Sequence, residues 1–129
     1  MQQQEPSKPI TVAVVEDNPR IRELLREEIL DEGHQILDFS SAEEFLEAFS
    51  NREERFDLVL LDLMLPGMDG LCCLRSMRQT SMMPRVVIVT ALNDSEKRRQ
   101  ALADGAEDYV LKPDLFQRLP EILGSAAAD

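Results

Sequence analysis

Four unbroken apolar runs, each ended by a polar side chain, set the pattern of this chain. Val12-Ala13-Val14-Val15 runs into Glu16-Asp17, Leu58-Val59-Leu60-Leu61 into Asp62, Val86-Val87-Ile88-Val89 into Thr90, and Tyr109-Val110-Leu111 into Lys112. None of them alternates apolar with polar, which is how a strand reads when both faces of a parallel sheet are covered. Leu65-Pro66-Gly67-Met68-Asp69-Gly70 supplies turn chemistry after Asp62. The Asp62 carboxylate is therefore expected at the carboxyl end of a central strand, the edge where open parallel sheets bind ligands. A fifth stretch, His34 to Phe39, is interrupted by polar residues and predicts a short strand at the sheet edge.

Helical spacing fills the intervals. Asn18 can cap and Pro19 can open a helix with Ile21, Leu24, Leu25 and Ile29 on one stripe, ended by Gly33. Ser41-Ala42-Glu43-Glu44 has the form of a capping box ahead of Phe45, Leu46 and Phe49, predicting a helix to about Asn51. Arg52 to Arg55 reads as a solvated return loop. Asp69 is a candidate cap for a third helix through Leu71, Leu74 and Met77; a fourth spans about Ser95 to Asp104 and closes at Gly105. A shorter fifth segment follows Lys112-Pro113. The order is β-α five times, predicting a doubly wound, flavodoxin-like α/β fold with a five-stranded parallel sheet. Residues 1–9 read as a flexible tail, 10–124 as the domain and 125–129 as a second tail.

Composition narrows the classes. The 129 residues suffice for one domain with a full core, and 43% hydrophobic with 30% charged residues is ordinary for a globular chain. A formal charge of −11, from 14 basic and 25 acidic residues, argues against direct nucleic-acid binding, which needs a basic footprint. Residues 1–9 lack the apolar core of a signal peptide, and no apolar stretch approaches the roughly 20 residues of a membrane span. A cytoplasmic protein without membrane contact is expected. Cys72 and Cys73 are adjacent, which suits neither a disulfide nor a zinc site, so both are expected as reduced thiols on a helix. His34 is the one histidine and carries no motif.

If the four runs are parallel neighbours, three carboxylates, a hydroxyl and an ammonium converge on one rim. An acid after a strand is by itself usually a turn former; four polar ends in register are hard to explain that way. Glu16, Asp17 and Asp62 crowd negative charge that needs a cation, and hard oxygen donors select magnesium or calcium. A site that shares its ion with a phosphate follows the magnesium pattern. Beside such an ion Asp62 can attack phosphorus to form an aspartyl phosphate, with Lys112 and Thr90 stabilising its oxygens.

At this point the sequence resembles the receiver domains of bacterial two-component response regulators. Five matches in order carry the resemblance over residues 10–124: Glu16-Asp17; Asp62 with Leu65-Pro66-Gly67-Met68-Asp69-Gly70; Thr90-Ala91; Gly105-Ala106 leading to Tyr109; and Lys112-Pro113. The resemblance implies a phosphoacceptor rather than a dedicated enzyme. Asp62 would receive phosphate from a sensor histidine kinase or a histidine phosphotransfer protein. Magnesium would be held by Asp17, Asp62 and the Met64 backbone carbonyl, with Glu16 acting through water. Thr90 would move toward the phosphoryl group, Tyr109 would turn inward behind it, and Lys112-Pro113 would form a cis peptide. The signal would pass to a downstream protein or to an output domain, the chain being a single-domain regulator or a piece of a longer one.

Two positions depart from the family pattern. Asp114 stands where Phe is common, so Phe116 is expected to fill that space, and Pro120 interrupts the last helix, which would start late or kink. Rival readings fare worse. A haloacid-dehalogenase-type enzyme would carry a second Asp at the position of Met64, and a flavin protein would carry a hydroxyl- and glycine-rich loop in place of Glu16-Asp17-Asn18-Pro19. A pseudo-receiver that only binds a partner would not need every chemical group.

Overall fold

The computed structural model describes residues 8–51, 55–80 and 83–128. Strands and helices alternate: β1 (Thr11–Val15), α1 (Pro19–Asp31), β2 (Gln35–Phe39), α2 (Ala42–Asn51), β3 (Leu58–Leu61), α3 (Gly70–Arg78), β4 (Arg85–Thr90), α4 (Ser95–Ala103), β5 (Asp108–Leu111) and α5 (Lys112–Ala127). All pairings are parallel and the sheet order is β2-β1-β3-β4-β5, with β3 in the centre and β2 at an edge.

The absence of alternation in the strands has its cause in two cores. Ala13, Val15, Val59, Leu61, Val86 and Ile88 face one way, against Phe45 of α2, Leu74 and Met77 of α3 and Ala101 of α4. Their neighbours Val12, Val14, Leu58, Leu60, Val87, Val89 and Val110 face the other, against Leu25 and Ile29 of α1 and Leu115, Leu119 and Leu123 of α5. Side chains alternate across a strand, so a strand covered on both sides must be apolar throughout.

The caps form much as the side chains dictate. Asn18 Oδ1 accepts the Arg20 and Ile21 amides, and Asp69 Oδ1 accepts that of Cys72 at 2.9 Å. Ser41 Oγ accepts the Glu44 amide, but Glu44 reaches back to the Ser40 amide, one residue beyond the Ser41 amide that a reciprocal capping box would use. Leu24 leaves the predicted stripe and is 44% exposed, since Leu25 and Ile29 take the face toward the sheet and Leu24 lies about 100° round the helix from Leu25. His34 is buried, its Nδ1 accepting the Ile10 amide at 3.1 Å, a structural role. Cys72 is exposed and Cys73 buried, both as free thiols.

Helix α5 departs most from expectation. It has 16 residues, begins at Lys112 and runs through Ala127, past the predicted tail boundary at 124. No cis peptide occurs among the described residues, so the Lys112-Pro113 bond is trans. Pro113 occupies the first turn, where a missing N–H costs nothing and the fixed φ suits the helix, and the chain passes straight from β5 into α5. Pro120 sits inside the helix and removes one intrahelical donor. Pro120 and Phe116, whose carbonyl loses that donor, are both exposed, so water can take its place. Phe116 is 40% exposed and fills no space behind Asp114; Leu115, 1% exposed, enters the core instead. Residues 1–7 of the predicted tail, and residues 52–54 of the charged return loop, lie outside the described residues.

Candidate functional site

Sheet register builds the site. Val15 of β1 pairs with Leu61 of β3, so the residues that follow, Glu16 and Asp62, leave the sheet side by side. Strand β4 pairs Leu61 with Ile88 and runs two residues further to Thr90, which is level with Leu111, the residue before Lys112. The polar ends of four strands thus share one rim.

Glu16 and Asp62 are each only 3% exposed, and one ammonium joins them. Lys112 Nζ lies 2.9 Å from Asp62 Oδ2 and 3.0 Å from Glu16 Oε1. The remaining carboxylate oxygens are also satisfied. Asp62 Oδ1 accepts the Met64 amide at 3.1 Å, and Glu16 Oε2 accepts the Asn18 amide at 3.0 Å. Arg22, which carried no sequence signal, donates Nη1 to the Glu16 carbonyl at 2.8 Å and braces the β1–α1 turn from the first turns of α1.

Burial pushes the Glu16 carboxyl up from the usual range and the Asp62 charge adds to this; the Asn18 amide and Lys112 oppose it without cancelling it. At Lys112 burial acts to lower the pKa, but hydrogen bonds and ion pairing with Asp62 and Glu16 outweigh it and hold the ammonium protonated. Removing one partner of such a buried pair typically costs about 3–5 kcal/mol, because the other charge is stranded.

Asp17 is exposed beside this pair, and carboxylate oxygens of Glu16, Asp17 and Asp62 lie within 4.8 Å of one another. Counting Lys112, the four groups sum to −2 (three carboxylates, one ammonium). A donor set of carboxylate oxygens alone, two nearly buried and one open to water, fits a hard divalent cation that keeps part of its hydration shell.

Thr90 and Tyr109 meet at a different point. Thr90 is fully buried and its Oγ1 accepts the Leu92 amide at 3.2 Å, while Tyr109, 8% exposed, donates its hydroxyl to the Leu92 carbonyl at 2.6 Å. The ring is therefore already turned inward, and burial raises its pKa so that the phenol stays neutral. Sequence reading aimed Thr90 at the same point as Lys112; the structure engages its hydroxyl in the β4–α4 loop. Met64 stands 57% exposed beside Asp62.

The model for the response regulator receiver domain matches residues 12–123. Among curated proteins, the chain is 38% identical over 103 residues to the transcriptional regulatory protein AfsQ1 of Streptomyces coelicolor, covering 80% of this chain and 44% of that protein. It is 41% identical over 102 residues to the DNA-binding response regulator MtrA of Mycolicibacterium smegmatis, covering 79% of this chain and 43% of that one. The chain thus spans less than half the length of these relatives. Among solved structures, a response regulator from Chloroflexus aurantiacus superposes with a TM-score of 0.83 at 27% identity, over 95% of this chain and 100% of that one. The response regulator TrrA of Thermotoga maritima, in complex with Mg2+-BeF, superposes at 0.79 with 32% identity, over 91% and 98%. No helix among the described residues is long and apolar enough to cross a membrane. With an aspartate, an acidic pair and a lysine gathered at the carboxyl rim of a β2-β1-β3-β4-β5 sheet, and this match spanning nearly all of it, the chain belongs to the receiver domains of two-component response regulators.

Proposed function

We propose that Asp62 is the phosphoacceptor and that the phosphoryl group comes from a phosphohistidine of a sensor kinase or a histidine phosphotransfer protein. One observation carries the reading: Asp62, buried at the end of the central strand, has one carboxylate oxygen on Lys112 Nζ at 2.9 Å and the other on the Met64 amide. In the transfer an Asp62 oxygen attacks phosphorus, the N–P bond breaks, and its electron pair returns to the imidazole. The Lys112 ammonium, released from Asp62 as that charge is consumed, then faces the phosphoryl oxygens. Asp17, Asp62 and the Met64 carbonyl would hold magnesium, with Glu16 through water, and the ion would supply charge neutralisation of the phosphoryl group.

The conformational output in this reading runs through Leu92. Movement of Thr90 toward the phosphoryl group releases the Leu92 amide, and the Leu92 carbonyl is the group that fixes Tyr109. The signal passes to a protein partner or to an output domain in the same polypeptide, in the cytoplasm, and the acidic balance of the domain gives nucleic acid no footprint. Incubation with a small phosphodonor and magnesium should yield one hydroxylamine-sensitive acylphosphate per chain. A chain that stays unlabelled under those conditions is a binding module only.

The lifetime of that acylphosphate follows from two side chains. Met64, two residues after Asp62, and Leu92, two after Thr90, neither hydrogen-bond a water nor position one for in-line attack. The double change Met64→Asn with Leu92→Glu is expected to speed spontaneous decay about tenfold, equivalent to ~1.4 kcal/mol of barrier. Equal decay of parent and double variant at saturating magnesium would show that water access here does not set the lifetime.

A further inference from the structure

The loop between β3 and α3 carries a contact that phosphoacceptor chemistry does not use. From within, the loop is folded back on Asp62. Met64 donates its amide to Asp62 Oδ1, and Gly70 donates its amide to the Leu63 carbonyl at 3.0 Å. Gly70 lies so close that a Cβ there would stand 2.3 Å from the Asp62 carbonyl oxygen, which restricts the position to glycine. At the far turn of the loop the tie comes from another element. Met68 donates its amide at 3.0 Å to Glu43 Oε2, in the first turn of α2.

The same carboxylate covers the glycine before it. Gly67 has φ +76°, and a Cβ on it would meet Glu43 Oε2 at 2.8 Å, with the other carboxylate atoms next nearest. Glu43 is itself well placed to serve as a fixed post. It lies at the amino end of α2, where the helix dipole favours an anion, and α2 is anchored by the fully buried Ala42 and Phe45. Its charge reaches α3 as well: the Cys73 thiol is pushed up to about 12, by burial first and by Glu43 next.

We propose that Glu43 is a positioning residue for the phosphoacceptor loop, pinning the turn at Gly67-Met68 to α2 so that the backbone following Asp62 is ordered before a cation binds. The inference rests on the magnesium reading above. A loop held from both ends presents the Met64 carbonyl without an ordering cost at binding; a loop held only through Gly70 must be ordered each time. The hydrogen bond, not the charge, carries the effect, because the site itself is already negative and an additional anion nearby offers a cation little geometry.

The test uses Glu43→Ala and Glu43→Gln in the whole chain, with backbone amide exchange of Met68 measured without metal and magnesium titrated against the amide shifts of Asp62 and Met64. In Glu43→Ala, Met68 should exchange roughly fivefold faster, the loss of one exposed hydrogen bond. Its magnesium Kd should rise about tenfold, the usual effect of losing a group that orients a ligand from behind. Glu43→Gln, which keeps an acceptor oxygen, should return both values close to the parent. Parental Met68 exchange in Glu43→Ala, or faster exchange with a parental Kd, overturns the proposal. A parent without magnesium shifts overturns the metal reading and this proposal with it, and the exchange data, taken without metal, identify that as the separate failure.

Discussion

Asp62→Asn abolishes acylphosphate formation and leaves the domain folded. The amide is isosteric, and its oxygen can keep Lys112 Nζ, now 2.9 Å from Asp62 Oδ2. Its NH2 then faces the Met64 amide and forfeits that one hydrogen bond, about 1 kcal/mol that the relief of carboxylate repulsion offsets. Neither amide atom is a competent nucleophile toward phosphorus. The usual danger of cutting a buried ion pair, a stranded charge worth about 3–5 kcal/mol, does not arise. Lys112 keeps Glu16 at 3.0 Å, and the cluster loses one of its three crowded negative charges. Melting should therefore stay near the parent value while labelling by a phosphodonor falls to background. Labelling of the variant at the parental level would falsify the assignment of Asp62, and partial labelling would point to Asp17, the exposed carboxylate alongside.

Magnesium raises the stability of the unphosphorylated domain, and Asp17→Ala removes the effect. A ligand that binds the native state alone stabilises it by RT ln(1 + [L]/Kd), so ~100 Kd of magnesium adds about 2.7 kcal/mol. The structure gives this a specific origin. Lys112 already neutralises part of the charge on Glu16 and Asp62, whereas Asp17 pairs with no cation among the described residues and is open to solvent. Most of the electrostatic gain should then come through Asp17, which is why its removal is the discriminating change and why calcium, larger and tolerant of more oxygen ligands, should stabilise less. Thermal unfolding with and without saturating magnesium checks it; an unmoved midpoint in the parent, or an undiminished shift in Asp17→Ala, is the contrary result.

Most of the fold was legible because its determinants are local. Strand burial on both faces leaves unbroken runs such as Leu58 to Leu61, and Asn18, Asp69 and the glycines after α1 and α4 mark helix ends through backbone geometry that only a few residue types satisfy. The rim was legible for the same reason, since residues that follow neighbouring strands in register must be neighbours. What failed was anything set by packing of distant segments. Nothing local says that Leu115 rather than Phe116 turns into the core, or that Pro120 falls on the exposed side of α5, where the lost hydrogen bond is harmless. Thr90 and Tyr109 were correctly placed on their strands, but their shared anchor at Leu92 is a contact between a loop and a strand. Arg22 and Glu43 act through backbone groups, the Glu16 carbonyl and the Met68 amide, and a charged residue gives no sequence sign that its partner is main chain.

The sheet order also dictates how the chain must assemble in time. Strand β1 pairs with β2 across α1 alone, but its other edge is met by β3, which arrives only after α1, β2 and α2 have all been traversed. Pairings of larger sequence separation are slower, because loop closure must be met before their contacts form. During refolding, amide protection in β1 and β2 should precede that in β3; simultaneous protection of all three strands would exclude the order. Until β3 docks, the inner edge of β1 is unpaired and the run Leu58 to Leu61 has no cover on either face. The central strand that later presents Asp62 is thus, while the domain is forming, its most aggregation-exposed segment.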